Sequence, residues 1–171
     1  MKDAADKEII FIDMDNVLVD FNSGIEKVAP EIKAKYEDDG TGKDQYKNIP
    51  GMFSLMDPMP GAIEAVKAIH ASDQYELYIL STAPWNNPSS WTDKLEWVKK
   101  HFDSAKSDGI FYKRIVLTHH KNLCVQKNAW LIDDRTAHGS DKFGEHFIHF
   151  GSERFPDWDA VLKHFNIDKS C

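Results

Sequence analysis

Asp13-Met14-Asp15-Asn16-Val17 follows directly on the apolar run Ile9–Ile12 and sets two carboxylates two residues apart. In an open α/β sheet, ligands bind beyond the carboxyl ends of the strands, where such a pair would stand. Ile132-Asp133-Asp134-Arg135 repeats the arrangement after a second apolar run. Carboxylates converging from two strands repel one another unless something neutralises them. A hard divalent cation such as Mg²⁺ does so, binding a few carboxylate oxygens together with water and substrate phosphate. Thr82 closes the run Tyr75–Leu80. Its hydroxyl and the backbone N–H groups after it suit a phosphoryl oxygen. Lys121 follows the run Arg114–Leu117 and can balance phosphate and carboxylate charge. Each piece alone has a plain structural explanation: an aspartate turn, a threonine ending a strand, a solvated lysine. Together they point to phosphate chemistry supported by a metal.

The elements that must hold these residues alternate. Strands are expected at Glu8–Ile12, Tyr75–Leu80, Arg114–Leu117, Ala129–Ile132 and His146–Phe150. Pro60 to Ile69 carries Ile63, Val66 and Ile69 on one helical face, with Pro60 in the first turn. Pro84–Ser90 reads as a loop, and Ser90-Trp91-Thr92-Asp93 as a capping box opening a helix. Trp91, Leu95, Val98 and Phe102 would form the buried stripe of that helix, and Trp158, Val161, Leu162 and Phe165 that of a closing one. The alternation predicts an α/β, Rossmann-like parallel sheet of about five strands with helices on both faces. Phe21 to Asp57 breaks the rhythm with an apolar stripe (Phe21, Ile25, Val28), a helix-restarting Pro30 and an acidic, glycine-containing stretch at Asp38–Gly42. Residues 22–57 are therefore expected to form a small helical cap inserted after the first strand, with 1–21 and 58–171 as the core domain.

At 171 residues the chain is one domain in length. Its net charge of −7 repels a nucleic-acid backbone and argues against a polymeric nucleic-acid partner. No apolar run approaches the roughly 18 residues of a membrane span. The first residues, Met1-Lys2-Asp3-Ala4-Ala5-Asp6-Lys7-Glu8, are too polar for a secretory signal. Cys124 and Cys171 make no disulfide framework, so a cytoplasmic location is expected. Oligomeric state is left open.

Gly40-Thr41-Gly42-Lys43 fails as a phosphate loop, because Glu37 replaces the first glycine and Asp44 the final Ser or Thr. His146-x-x-His149 lacks a third ligand at zinc spacing and reads as two strand histidines. Trp85 is read as anchoring its loop, with lining of a substrate mouth as the other possibility. No Gly-x-Ser-x-Gly nucleophile elbow is present.

The four pieces, Asp13-x-Asp15-x-Val17, Thr82, Lys121 and Asp133-Asp134, resemble the motifs of the haloacid dehalogenase superfamily. Ile12–Phe21, Pro58–Ala62, Leu80–Pro84, Lys94–Val98 and Leu131–Arg135 together resemble the 5′(3′)-deoxyribonucleotidases, over roughly residues 8 to 136. The resemblance implies a Mg²⁺-dependent phosphomonoesterase acting through an aspartyl-phosphate. Asp13 would be the nucleophile and Asp15 the general acid and then base. Mg²⁺ would be held by Asp13, the main-chain carbonyl of Asp15 and Asp134, with Asp133 orienting the ligands or Lys121 from behind. Thr82 and Lys121 would bind phosphate, and Phe21 would contact the substrate. The implied substrate is a small phosphorylated molecule, a nucleoside monophosphate first. The alternatives are the same fold acting on another phosphomonoester, such as a sugar phosphate, and a catalytically weak nucleotide-binding module. The sequence departs from the better-known animal members in two places: Asn16 stands where they have a glycine after the second aspartate, and His119 where an arginine two residues before the motif lysine helps hold phosphate.

Overall fold

The computed structural model describes residues 7–37 and 45–168. The first residues of the chain, the Asp38–Gly42 stretch, Gly40–Lys43 and Cys171 lie outside them.

Five parallel strands form one sheet: β1 (Glu8–Ile12), β4 (Tyr75–Ser81), β5 (Ile115–Leu117), β6 (Ala129–Asp133) and β7 (Phe147–His149), in the order β5-β4-β1-β6-β7. β1 is central, with Ile12 beside Ile79 of β4 and Ile132 of β6. Alternate residues point to opposite faces, as the pleat requires. Ile10, Ile12, Leu77, Ile79 and Ile132 enter the larger apolar cluster, and Phe11, Leu80, Ala129 and Leu131 a smaller one.

The two faces are covered unequally. Three helices, α3 (Ala62–Ala71), α4 (Ser89–His101) and α5 (Trp158–His164), contribute Val66, Ile69, Val98, Val161 and Leu162 to the larger cluster. The smaller cluster is closed by Phe143 and Cys124, from the 3₁₀ segments Ala137–His146 and Lys121–Cys124. Pro60 lies just ahead of α3, whose N-cap is Gly61 at φ +75°, a conformation glycine adopts without strain.

α4 departs from the expected pattern in two ways. It starts at Ser89, with no side-chain cap. Asn87 occupies the corner instead, and its carbonyl accepts from the Ser90 hydroxyl at 2.6 Å. The expected stripe is also rotated: Trp91 and Leu95 are each 38% exposed, while Ser90, Lys94, Trp97 and Val98 are buried. The helix thus turns a lysine inward.

A two-stranded antiparallel stem, β2 (Val19–Asp20) with β3 (Asp57–Pro58), marks where the inserted segment leaves and returns. Within it, α1 (Phe21–Glu26) is capped by the Asp20 carboxylate, which accepts from the N–H groups of Asn22 and Ser23, and α2 (Pro30–Lys33) restarts at the proline. α1 packs on the 3₁₀ turn Met52–Leu55 at Gly24, where a Cβ would meet Met56 Cγ at 2.8 Å. The described residues of the insertion build no core of their own: Val28, Ile49, Met52, Phe53 and Met56 join the larger cluster. It is also tied to the core by hydrogen bonds. Trp97 Nε1 donates to the Met56 carbonyl at 2.9 Å, and Asn87 Nδ2 donates to the carbonyls of Lys47 and Ile49.

Candidate active site

The carboxyl ends of β1, β4, β5 and β6 converge. Past them the chain stays registered, with Asp13 N–H bonded to the Ile132 carbonyl and Thr118 N–H to the Ser81 carbonyl. β1 delivers Asp13, Met14 and Asp15 into a tight turn in which the N–H groups of Leu18 and Val19 both reach the Met14 carbonyl. The α5 residue Trp158 supports this turn, its Nε1 donating to the Val17 carbonyl at 2.9 Å.

Asp13, Asp15, Lys94, Lys121 and Asp133 are all buried. Lys121 Nζ lies 3.2 Å from Asp13 Oδ1 and 2.5 Å from Asp133 Oδ2. Asp133 is fully engaged: Ser140 Oγ donates to the same Oδ2, and the N–H of Arg135 to Oδ1. Through it, Lys121 Nζ lies between the Asp133 and Asp13 carboxylates. Asp134 is differently placed. Its Oδ2 accepts from Asn16, while Oδ1 is buried with no hydrogen bond, and so is Oδ1 of Asp13. Asp13, Asp133 and Asp134 each offer an oxygen within 4.8 Å of the others.

Sequence reasoning missed Lys94. A single lysine in a surface helix reads as solvated, yet Lys94 Nζ donates to Asp15 Oδ1 at 2.7 Å and to Ser81 Oγ at 3.1 Å. It also lies 4.9 Å from the centre of the Phe53 ring. The available signal was its position: Ser90, Lys94 and Trp97 follow helical spacing, so a buried tryptophan drags the lysine inward.

These contacts split the two aspartates. Burial pushes Asp13 upward, but the charges of Lys121 and Lys94 outweigh it and hold the carboxyl below its ordinary value. Burial also pushes Asp15 upward, and with the charge of Asp13 it prevails over Lys94. Asp133 is raised to about 6 by burial and by Asp13, against the pull of Lys121. One member of the pair is thus kept ionised and the other kept inclined to hold a proton. Environments that separate two carboxyls in this way assign acid and base roles.

A cleft of about 490 Å³ opens over Asp15. Thr82 lies in its wall, the hydroxyl donating to the Thr118 carbonyl at 2.8 Å. Phe21 and Phe53, 5.9 Å apart and edge to face, line it from the insertion. Trp85 does not anchor its loop. It is 80% exposed, lines the cleft and meets the His119 ring edge-on at 5.8 Å. The loop is anchored by the buried Asn87, whose amide satisfies two carbonyls of the insertion. The histidines set aside as a zinc fragment lie elsewhere: His146 packs on Trp130, and His149 Nε2 bonds the Asp134 carbonyl.

Acids after β1, a threonine after β4, a lysine after β5 and two acids ending β6, under an insertion that follows β1, define a haloacid dehalogenase-type hydrolase. Two solved structures share the fold. A haloacid dehalogenase-like family hydrolase from Xanthomonas campestris has a TM-score of 0.53 at 13% identity, over 94% of this chain and 95% of the other. A family hydrolase from Deinococcus radiodurans R1 has a TM-score of 0.50 at 16% identity, over 94% and 88%. The chain belongs to the family described as 5′ nucleotidase, deoxy (Pyrimidine), cytosolic type C protein, whose model matches residues 7–155, and it is a phosphoric monoester hydrolase. A Vibrio phage KVP40 protein named "Putative 5'(3')-deoxyribonucleotidase" is 46% identical over 164 residues, covering 95% of this chain and 87% of the relative. The cytosolic 5′(3′)-deoxyribonucleotidase of Homo sapiens is 23% identical over 174 residues, covering 90% and 78%. Among the described residues, no helix is long and apolar enough to cross a membrane.

Proposed function

We propose that this enzyme dephosphorylates deoxynucleoside or ribonucleoside monophosphates through an aspartyl-phosphate on Asp13, with Mg²⁺ bound. The observation that carries the substrate reading is the cleft: carboxylate chemistry at Asp15 lies beneath aromatic walls from Phe21, Phe53 and Trp85. A base stacks on such faces at roughly 1–3 kcal/mol each, by analogy with single-stranded nucleic-acid sites. The family and the names of its relatives point the same way.

The residues fit a divalent cation. Two buried carboxylate oxygens, on Asp13 and Asp134, have no hydrogen bond, and Asp13, Asp133 and Asp134 each offer an oxygen within 4.8 Å of the others. Asp13 and Asp134 would hold Mg²⁺, with the Asp15 main-chain carbonyl as the third protein ligand implied by the family resemblance. Bound there, it supplies charge that offsets the carboxylates and polarises a phosphoryl oxygen.

The protein's own residues do the rest. Asp13 attacks phosphorus with a carboxylate oxygen, and the bond from phosphorus to the leaving oxygen breaks. Asp15 gives its proton to that oxygen as the nucleoside departs. The resulting Asp15 carboxylate then takes a proton from water, which attacks phosphorus and breaks the bond to Asp13. Inorganic phosphate leaves, Asp13 is regenerated and Asp15 again carries a proton. Lys121 and Thr82 bind the phosphoryl oxygens, and Lys94 holds Asp15 in place. We take residues 22–57 as the cap that reads the leaving group. The half-buried free thiol of Cys124 fits the reducing, cytoplasmic setting we assign.

Hydrolysis of deoxynucleoside, ribonucleoside and sugar monophosphates, with Mg²⁺ and with chelator, tests the reading. Nucleotides should give the highest kcat/KM, and only with metal. A preference for sugar phosphates would overturn the substrate assignment.

A further inference from the structure

Asn16 stands at φ +56°, in the left-handed region that asparagine tolerates better than most residues. Its N–H bonds the Val19 carbonyl at 2.8 Å. From that posture its side chain reaches 118 residues along the chain: Nδ2 donates to Asp134 Oδ2 at 3.1 Å. A carboxylate can only accept, so the amide must present its NH₂ group here. The bond engages one oxygen of Asp134 and leaves Oδ1, buried and without a hydrogen bond, for another partner. One rival is close by. Arg135 Nε lies 3.4 Å from that Oδ1, on a side chain that is 58% exposed. A guanidinium grips both oxygens of a carboxylate when both are available. Asn16 also lines both the catalytic cleft and a second cavity of about 510 Å³, lined in addition by Met59, Asp134, His149 and Phe150.

We propose that Asn16 is a positioning residue for the divalent cation: it fixes the rotation of the Asp134 carboxylate, reserves Oδ1 for the metal and denies Arg135 a two-oxygen grip. This rests on the reading of Asp134 as a metal ligand.

The test is Mn²⁺ binding to the full chain without substrate, followed by electron paramagnetic resonance of the free ion. Asn16→Gly removes the amide and suits the positive φ, so the melting temperature should stay close to that of the parent. Mn²⁺ should bind roughly 10- to 100-fold more weakly, the range for losing an outer-shell partner. Asn16→Ala deletes the same amide at a different backbone cost and must show the same weakening. Arg135→Gln added to Asn16→Gly should restore part of the affinity. At saturating Mg²⁺, the KM for a nucleoside monophosphate should return to the parent value. Unchanged Mn²⁺ affinity in Asn16→Gly, while Asp134→Ala loses binding, overturns the inference and leaves the metal reading intact. Undiminished binding in Asp134→Ala overturns the metal reading itself. A KM that stays raised at saturating Mg²⁺, with parental Mn²⁺ affinity, makes Asn16 a substrate contact and also overturns the inference.

Discussion

Lys94 Nζ donates to Asp15 Oδ1 at 2.7 Å across 79 positions of sequence, and the two side chains are only 1% and 13% exposed. A buried charge left without its partner is expensive, at about 3–5 kcal/mol. Lys94→Met should therefore be strongly destabilising, and the loss should depend on pH. Without the lysine, burial and Asp13 raise Asp15 further above the unfolded value of 3.8. A group raised in the folded state binds its proton more tightly there, so stability is greatest at low pH and falls as pH rises through the folded value. Urea denaturation at pH 5 and pH 8 should show the larger deficit at pH 8.

Asp13→Asn should abolish turnover while leaving the fold intact, because the amide is close in shape but a poor nucleophile. Asp15→Asn should discriminate by leaving group. A nucleoside alkoxide needs a proton and should lose roughly 10²–10⁴-fold in kcat. An aryl phosphate with an acidic phenol should lose much less. Steady-state rates on both substrates, with circular dichroism as the folding control, check both variants.

The adjacent acids Asp133 and Asp134 should fail in different ways. Asp134→Ala should raise the Mg²⁺ concentration needed for half-maximal rate, with little change in melting temperature. Asp133→Ala removes the partner of buried Lys121 and should lower thermal stability first. If Asp133→Ala is the variant that loses metal binding, the two roles are exchanged.

Much of this site was legible because its acids end strands. A hydrophobic run stopping at paired carboxylates is a local pattern, and Asp13, Asp15, Asp133 and Asp134 could all be found that way. Lys94 ends no strand. Its one local signal, the helical spacing of Ser90, Lys94 and Trp97, competes with the stripe through Trp91 and Leu95, and its partner Asp15 lies 79 residues away in the turn after β1. Trp85 misled for a related reason. A large aromatic in a long loop suggests an anchor, but the anchoring is done by Asn87, through carbonyls of a segment 38 to 40 residues away.

Phe21 and Trp85 reach the cleft from the insertion and from the β4–α4 loop, respectively. Phe21→Ala and Trp85→Ala should each reduce kcat/KM for a nucleoside monophosphate by roughly 5- to 150-fold, the equivalent of about 1–3 kcal/mol of lost stacking. A small alkyl phosphate should be nearly unaffected. Equal losses on both substrates would assign the two rings to packing.

Because Ile49, Met52, Phe53 and Met56 are embedded in the larger apolar cluster, the described part of the insertion is packed into the core as well as joined to it by a two-residue stem. Lifting it would break the Trp97–Met56 and Asn87 hydrogen bonds and expose that apolar surface in a single event. Changes of specificity in such an architecture proceed by exchanging individual wall residues, since a transplanted cover would carry away part of the host's own interior.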